Sequence, residues 1–201
     1  MFGRVNYVTF KTERLADVRR MWPLSVADYR GKGFEAGFLL LDPATGKSVS
    51  VVIFADEPSC RANEQGGHFT AAETPFRELR KTEPDKHYYT VAAAVASGRP
   101  DPVGWARLAK PWFKIDRFAE VLAGLPERVA AYKAEPGFRG AYLFADRKTG
   151  ELVSLTLWGS KADCEANERD GAYQATVTPY AAMLAKEPVR SYHEVAAVVR
   201  A

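Results

Sequence analysis

Cysteine and histidine are scarce in this 201-residue chain, with two of the first and three of the second. Cys60 and Cys164 lack C-x-x-C spacing, so they suggest neither a zinc site nor a disulfide framework, and two small buried core residues are expected. His68, His87 and His193 do not form a ligand cluster in the sequence. Long apolar runs are missing as well: stretches such as "VAAAVA" are too short to span a bilayer. The first residues carry Arg4, Lys11, Glu13 and Arg14 where a signal peptide needs an apolar core, so a cytoplasmic protein without a membrane partner is expected. Nor is there an excess of one charge. Lysine and arginine number 28 against 25 acidic residues, spread without runs, and no basic patch interleaved with aromatics points to nucleic acid. The chain has no G-x-S-x-G, no H-E-x-x-H and no Walker lysine motif, and "GKGFEAG" precedes a strand where a dinucleotide fingerprint would open a helix. Neither a metal nor an organic cofactor is expected.

What is abundant is core-forming material, 47% hydrophobic residues with 12% aromatics, and it is written twice. "GFEAGFLLLDPATGKSVSVVIF" from Gly33 and "GFRGAYLFADRKTGELVSLTLW" from Gly137 align without a gap at an offset of 104. The same offset pairs Cys60/Cys164, Asn63/Asn167, Glu64/Glu168, Gly67/Gly171 and Tyr88/Tyr192. Upstream the offset is 103, pairing Arg4/Arg107, Phe10/Phe113, Val18/Val121, Pro23/Pro126 and Tyr29/Tyr132. The repeats are therefore placed at residues 1–96 and 105–201, joined by the Gly- and Pro-rich linker 97–104. Units of this size are domains, not solenoid repeats.

Each copy reads as a strand, a helix interrupted at Pro23 or Pro126, and a hairpin turning at "DPATGK" or "DRKTGE". A second helix follows, capped by Asp56 or by the Ser160/Asp163 pair, and then a closing strand. The order β-α-β-β-α-β predicts an α+β fold in which two ferredoxin-like units, fused in one chain, form an intramolecular pseudo-dimeric α+β barrel. The aliphatic positions Val49, Val51 and Ile53, matched by Val153, Leu155 and Leu157, read as the helix-packed face. Ser50, Val52 and Phe54, matched by Ser154, Thr156 and Trp158, read as the opposite face, turned toward the second copy. Arg4, Asn6 and Arg107 join that mixed face on the first strands, and Tyr88, Tyr192 and Glu194 on the last. Aromatic walls with a few convergent polar groups suit a small-molecule pocket between the sheets, while the same groups could serve as internal glue.

The motifs "GF...LLLD..TG...SV.IF" and "GF..AYLF.D.KTG..VSLTLW.S" resemble the antibiotic biosynthesis monooxygenase family, whose ferredoxin-like units pair into dimeric α+β barrels. The resemblance covers nearly the whole chain, twice. It implies a cofactor-independent monooxygenase acting on an aromatic or phenolic metabolite, or alternatively a non-catalytic small-molecule-binding pseudo-dimer. In that reading Arg4, Arg107 and Asn6 are catalytic, with Trp158, Phe54, Tyr88, Tyr192, Glu194, Ser154 and Thr156 binding the substrate. The heme-degrading branch is disfavoured: Asn6 fits, but Asn63 and Asn167 stand where that branch has a helix tryptophan, and no histidine follows. Because the second copy is internal, the chain is expected to be a monomeric pseudo-dimer, with a further subunit optional. The copies differ at Asn6/Ala109, Phe54/Trp158, Thr90/Glu194 and His68/Ala172, so a site mixed across the copies is expected, with activity in the half-sites that kept polar groups.

Overall fold

The computed structural model describes residues 1–99 and 102–201; Pro100 and Asp101, within the expected linker, lie outside the described residues. The first repeat runs β1 (Phe2–Thr9), α1 (Leu15–Ala27), β2 (Phe34–Leu41), β3 (Lys47–Phe54), α2 (Glu57–Gln65), α3 (His68–Glu73) and β4 (Asp85–Ala96). The second follows with β5 (Trp105–Phe113), α4 (Phe118–Ala130), β6 (Phe138–Asp146), β7 (Glu151–Trp158), α5 (Lys161–Arg169), α6 (Ala172–Val177) and β8 (Leu184–Arg200). Contacts divide the chain into two units, Met1–Thr90 with Glu194–Ala201, and Val91–His193, so the unit boundaries fall inside β4 and β8. The first unit's sheet has the order β4-β1-β3-β2-β8, and the second unit's has β8-β5-β7-β6-β4. Both units are α+β and ferredoxin-like, as the repeated element order indicates. Among the described residues no helix is long and apolar enough to cross a membrane.

Local sequence explains the elements. Leu15, Val18, Trp22 and Val26 form one buried stripe on α1, and Phe118, Val121, Leu125 and Val129 repeat it on α4. The expected interruptions do not occur: α1 continues through Pro23 and α4 through Pro126. An interior proline removes one helix hydrogen bond and costs about 3 kcal/mol. Here the residues on either side, Trp22 with Val26 and Leu125 with Val129, hold the turn in place by their burial. The hairpins turn as their repeated D-x-x-T-G motifs require: Thr45 Oγ1 donates to Asp42 Oδ2 at 2.6 Å and Thr149 Oγ1 to Asp146 Oδ2 at 2.8 Å. Gly46 and Gly150 follow at φ of 74° and 73°, a conformation that suits glycine alone among common residues. The caps also form, with Asp56 accepting from the Ser59 amide at 2.8 Å and Ser160 from the Asp163 amide at 3.2 Å.

The sheet faces are the reverse of the sequence reading. Trp22 Nε1 on α1 donates to Ser50 Oγ on β3 at 3.2 Å, so the mixed face of β3 lies under its own unit's helix. Val52 and Phe54 belong to the same cluster as Val18, Trp22 and Val26, whereas Val49, Val51 and Ile53 do not, although they are 0 to 3% exposed. The second unit repeats this, with Leu152 and Trp158 clustered with Val121 and Leu125. The aliphatic alternation misled because both faces of β3 and β7 are buried, and burial, not helix contact, is what an unbroken aliphatic row records.

Candidate functional site

In each unit the mixed face carries one buried arginine, held by the same neighbours. Register places Arg4 opposite Val52 on β3 and opposite Tyr88 on β4. Its Nη1 donates to Asn63 Oδ1 at 3.1 Å and to Glu64 Oε1 at 3.3 Å, both from α2, and the Tyr88 hydroxyl donates to Glu64 at 2.6 Å. Arg107 does the same on α5, reaching Asn167 Oδ1 and Glu168 Oε1, each at 3.1 Å, while the Tyr192 hydroxyl donates to Glu168 at 2.8 Å. Three rings surround each guanidinium. Phe69, Tyr29 and Phe54 lie 4.3, 5.7 and 5.7 Å from the Arg4 head, and Tyr173, Trp158 and Tyr132 lie 4.2, 5.7 and 6.0 Å from the Arg107 head. A planar, delocalised cation suits such a cage better than a lysine would.

The two units differ in the space beside this cage. A cavity of about 410 Å³ lies between its sheet and its helices, lined by Arg107, Ala109, Leu125, Tyr132, Ser154, Thr156 and others of the same unit. The corresponding space in the first unit, beside Arg4, Asn6 and Ser50, is about 10 Å³. The repeat offsets show why. Trp22 stands where the second unit has Leu125, Asn6 where it has Ala109, and Glu73 where it has Val177. The larger side chains fill the first site, and their smaller partners open the second.

These positions correct several expectations. The pocket lies within one unit, between sheet and helices, and not between two sheets, and it is not mixed across the copies: Ala109 stands on its wall at the position of Asn6. Asn6 is 3% exposed, its carbonyl oxygen without a hydrogen-bond partner, in the nearly filled first site. Phe54 is buried among Tyr29 and Phe34 beside Arg4. Trp158 is fully buried behind Arg107, its Nε1 donating to Thr156 Oγ1 at 3.1 Å, and it does not line the cavity. Ser154 and Thr156 do line it, and Tyr192 stands behind Glu168. Glu194 is elsewhere: it pairs with Arg19 of α1 through two bonds of 2.9 and 2.7 Å in the first unit. Tyr88 likewise belongs to the first site.

Tyr132, Tyr173, Asn167 and Glu168 were not among the expected site residues, yet the two tyrosines line the cavity and Asn167 and Glu168 hold Arg107 on its wall. The signal for the last two was present, since an Asn-Glu pair kept at the same place on both copies of a helix serves no apolar packing purpose. Burial raises the Tyr132 phenol above its ordinary range, so it stays neutral and can donate a hydrogen bond. Cys60 and Cys164 are buried thiols pushed up to about 11 by desolvation. Among the described residues no three histidine, cysteine or carboxylate side chains converge as metal ligands.

The second unit thus combines a ferredoxin-like sheet with a cavity lined by a buried arginine and by Tyr132 and Tyr173. Residues 107–179 match the profile of the antibiotic biosynthesis monooxygenase family, and the first half of the chain repeats the element order of the second. No curated protein matches. Among solved structures, a candidate monooxygenase from Lactobacillus acidophilus is similar at TM-score 0.78 and 11% identity, over 99% of this chain and 95% of that one. A candidate monooxygenase from Fusobacterium nucleatum is similar at TM-score 0.78 and 13% identity, over 99% and 94%. An anthrone oxidase-like protein is similar at TM-score 0.71 and 16% identity, over 99% and 92%. At these identities the likeness is one of fold.

Proposed function

We propose that the second unit is a cofactor-independent monooxygenase for a small aromatic or phenolic metabolite, with Arg107 as the group that stabilises the substrate's oxyanion. The observation that carries this reading is the cavity of about 410 Å³ with a buried guanidinium on its wall. A phenol that gives up its proton becomes an electron-rich anion able to reduce dioxygen directly. The overall change inserts one oxygen atom at a ring or benzylic carbon, forming C=O in place of C–H with loss of the second hydrogen, while the other oxygen atom leaves as water. What the protein must supply is a held anion and a dry site. Arg107, already fixed by Asn167 and Glu168, holds the anion without reorganising. Tyr132 and Tyr173 offer ring faces, and Leu125, Val129 and Leu152 exclude water. The family of residues 107–179 and the name of the anthrone oxidase-like neighbour favour the same chemistry.

A second reading, ligand binding without turnover, is favoured by one feature. Glu187, on the exposed rim, is the sole carboxylate among the described residues lining the cavity, so no buried base stands ready. Oxygen consumption separates the two. Purified protein, stripped of flavin and treated with chelator, is given a panel of naphthols, hydroquinones and anthrones under air. The expected result is uptake of one dioxygen per product and a rate about two to three orders of magnitude lower in folded Arg107→Ala. Binding without uptake would leave the second reading standing, and uptake that requires added flavin or metal would end the first.

A further inference from the structure

The two sites share their frame and differ in what fills it. Each has an arginine held by an Asn-Glu pair, a tyrosine on that glutamate and three rings around the cation. In the first unit the space beside the frame is occupied by the chain itself. Trp22 is 5% exposed, and its indole N–H donates to Ser50 at 3.2 Å. Gly37 makes room for it: a Cβ at that position would come within 3.0 Å of Trp22 Cη2 and 3.1 Å of Val26 Cγ1. In the second unit the same three positions are Leu125, Ser154 and Ala141. The indole is gone, its hydrogen-bonding serine remains on the cavity wall, and a methyl group stands where the glycine had yielded. The first site also carries the Glu73–Arg80 ion pair at 3.7 Å, replaced in the second by Val177 and Leu184, which line the cavity with apolar surface.

We propose that the second unit's cavity takes a fused-ring aromatic ligand lying where the Trp22 indole lies in the first unit, with a hydrogen-bond donor on the ring directed at Ser154. This rests on the proposed ligand-binding role of the cavity and not on oxygenation. Trp22 is in effect an internal ligand, and its geometry states the chemistry its neighbours accept: a flat bicycle, apolar on both faces, with one N–H or O–H on its edge. The second cavity extends further, to Glu187 and Arg190, so a third ring or a polar substituent fits beyond the bicycle.

The test is calorimetric titration with indole and with its near-isostere benzofuran, which lacks the donor. Wild type should bind one indole per chain and bind benzofuran about 2- to 12-fold more weakly, the range expected from losing one net hydrogen bond. Ser154→Ala should remove that difference. Leu125→Trp with Ala141→Gly, which rebuilds the first unit's plug in the second, should weaken indole at least tenfold while the protein keeps its thermal midpoint. Should that double variant not fold, the indole-to-benzofuran ratio in Ser154→Ala alone decides. Absence of indole binding by wild type, equal affinity for both probes, or indole binding undisturbed in a folded plug variant would each overturn the proposal. Oxygen uptake with the phenol panel reports separately: turnover without indole binding would remove this inference and leave the oxygenase reading in place, and indole binding without turnover would do the reverse.

Discussion

Arg107 keeps a full charge at 1% exposure, a placement that would be costly for an unpaired ion. It is offset here by a carboxylate and an amide at 3.1 Å and by the negative face of Tyr173 at 4.2 Å. Arg4 solves the same problem with Phe69, and its neighbour Tyr29 shows what the low-dielectric setting does to a phenol: burial pushes Tyr29 from 10.0 up to about 12. Below pH 10 both folded and unfolded chains carry the neutral ring, and the fold loses nothing. Between 10.0 and about 12 the unfolded chain ionises while folded Tyr29 does not, so stability falls as pH rises through that window. Denaturant unfolding measured at several alkaline pH values should show this decline, and Tyr29→Phe should make it shallower without removing it, because burial also raises Tyr88, Tyr132 and Tyr192. An equally steep decline in wild type and Tyr29→Phe would mean that Tyr29 is not held neutral.

At the scale of elements, turns and caps were legible because single side chains decide them. D-x-x-T-G closes each hairpin and Ser160 starts α5 through bonds that need only local sequence. Ser160→Ala should therefore cost about 0.5–2 kcal/mol in equilibrium unfolding, and no measurable loss would argue that the cap is redundant. The helix prolines were read too strictly, since local propensity gave way to the burial of Trp22 and Leu125. Sheet facing was misread for a related reason. Period-two alternation sorts residues onto faces correctly, and Arg4, Asn6, Ser50 and Val52 do share one. It cannot say which face a helix covers when both are buried. The thiols follow from the helices: Cys60 and Cys164, inward on α2 and α5 and raised to about 11, should resist a thiolate-selective reagent near neutral pH and react on unfolding. Rapid labelling of the native protein would contradict their burial.

Across the whole chain, duplication preserved the frame of the site and let its contents diverge. The repeat offset pairs the two arginines, Arg4 with Arg107, and the Asn-Glu pairs that hold them, whereas the contact units exchange strand segments within β4 and β8. Which unit is open is not legible, because it depends on Trp22 against Leu125, Asn6 against Ala109 and Gly37 against Ala141, differences that acquire meaning only when Trp22 is seen to reach Ser50, beside Asn6, over the space that Gly37 leaves. The sequence suggests a site shared between polar positions of both copies, whereas the open space lies within the second unit, where the side chains are smaller. A fused pair needs only one working site, and the first unit's plug contributes packing in place of binding. The most direct measurement of this account is the number of ligands bound per chain, read by native mass spectrometry with a fused-ring phenol in excess. One ligand per chain is predicted, lost when Leu125→Trp and Ala141→Gly close the second cavity; two ligands per chain, or one that survives that closure, would contradict it.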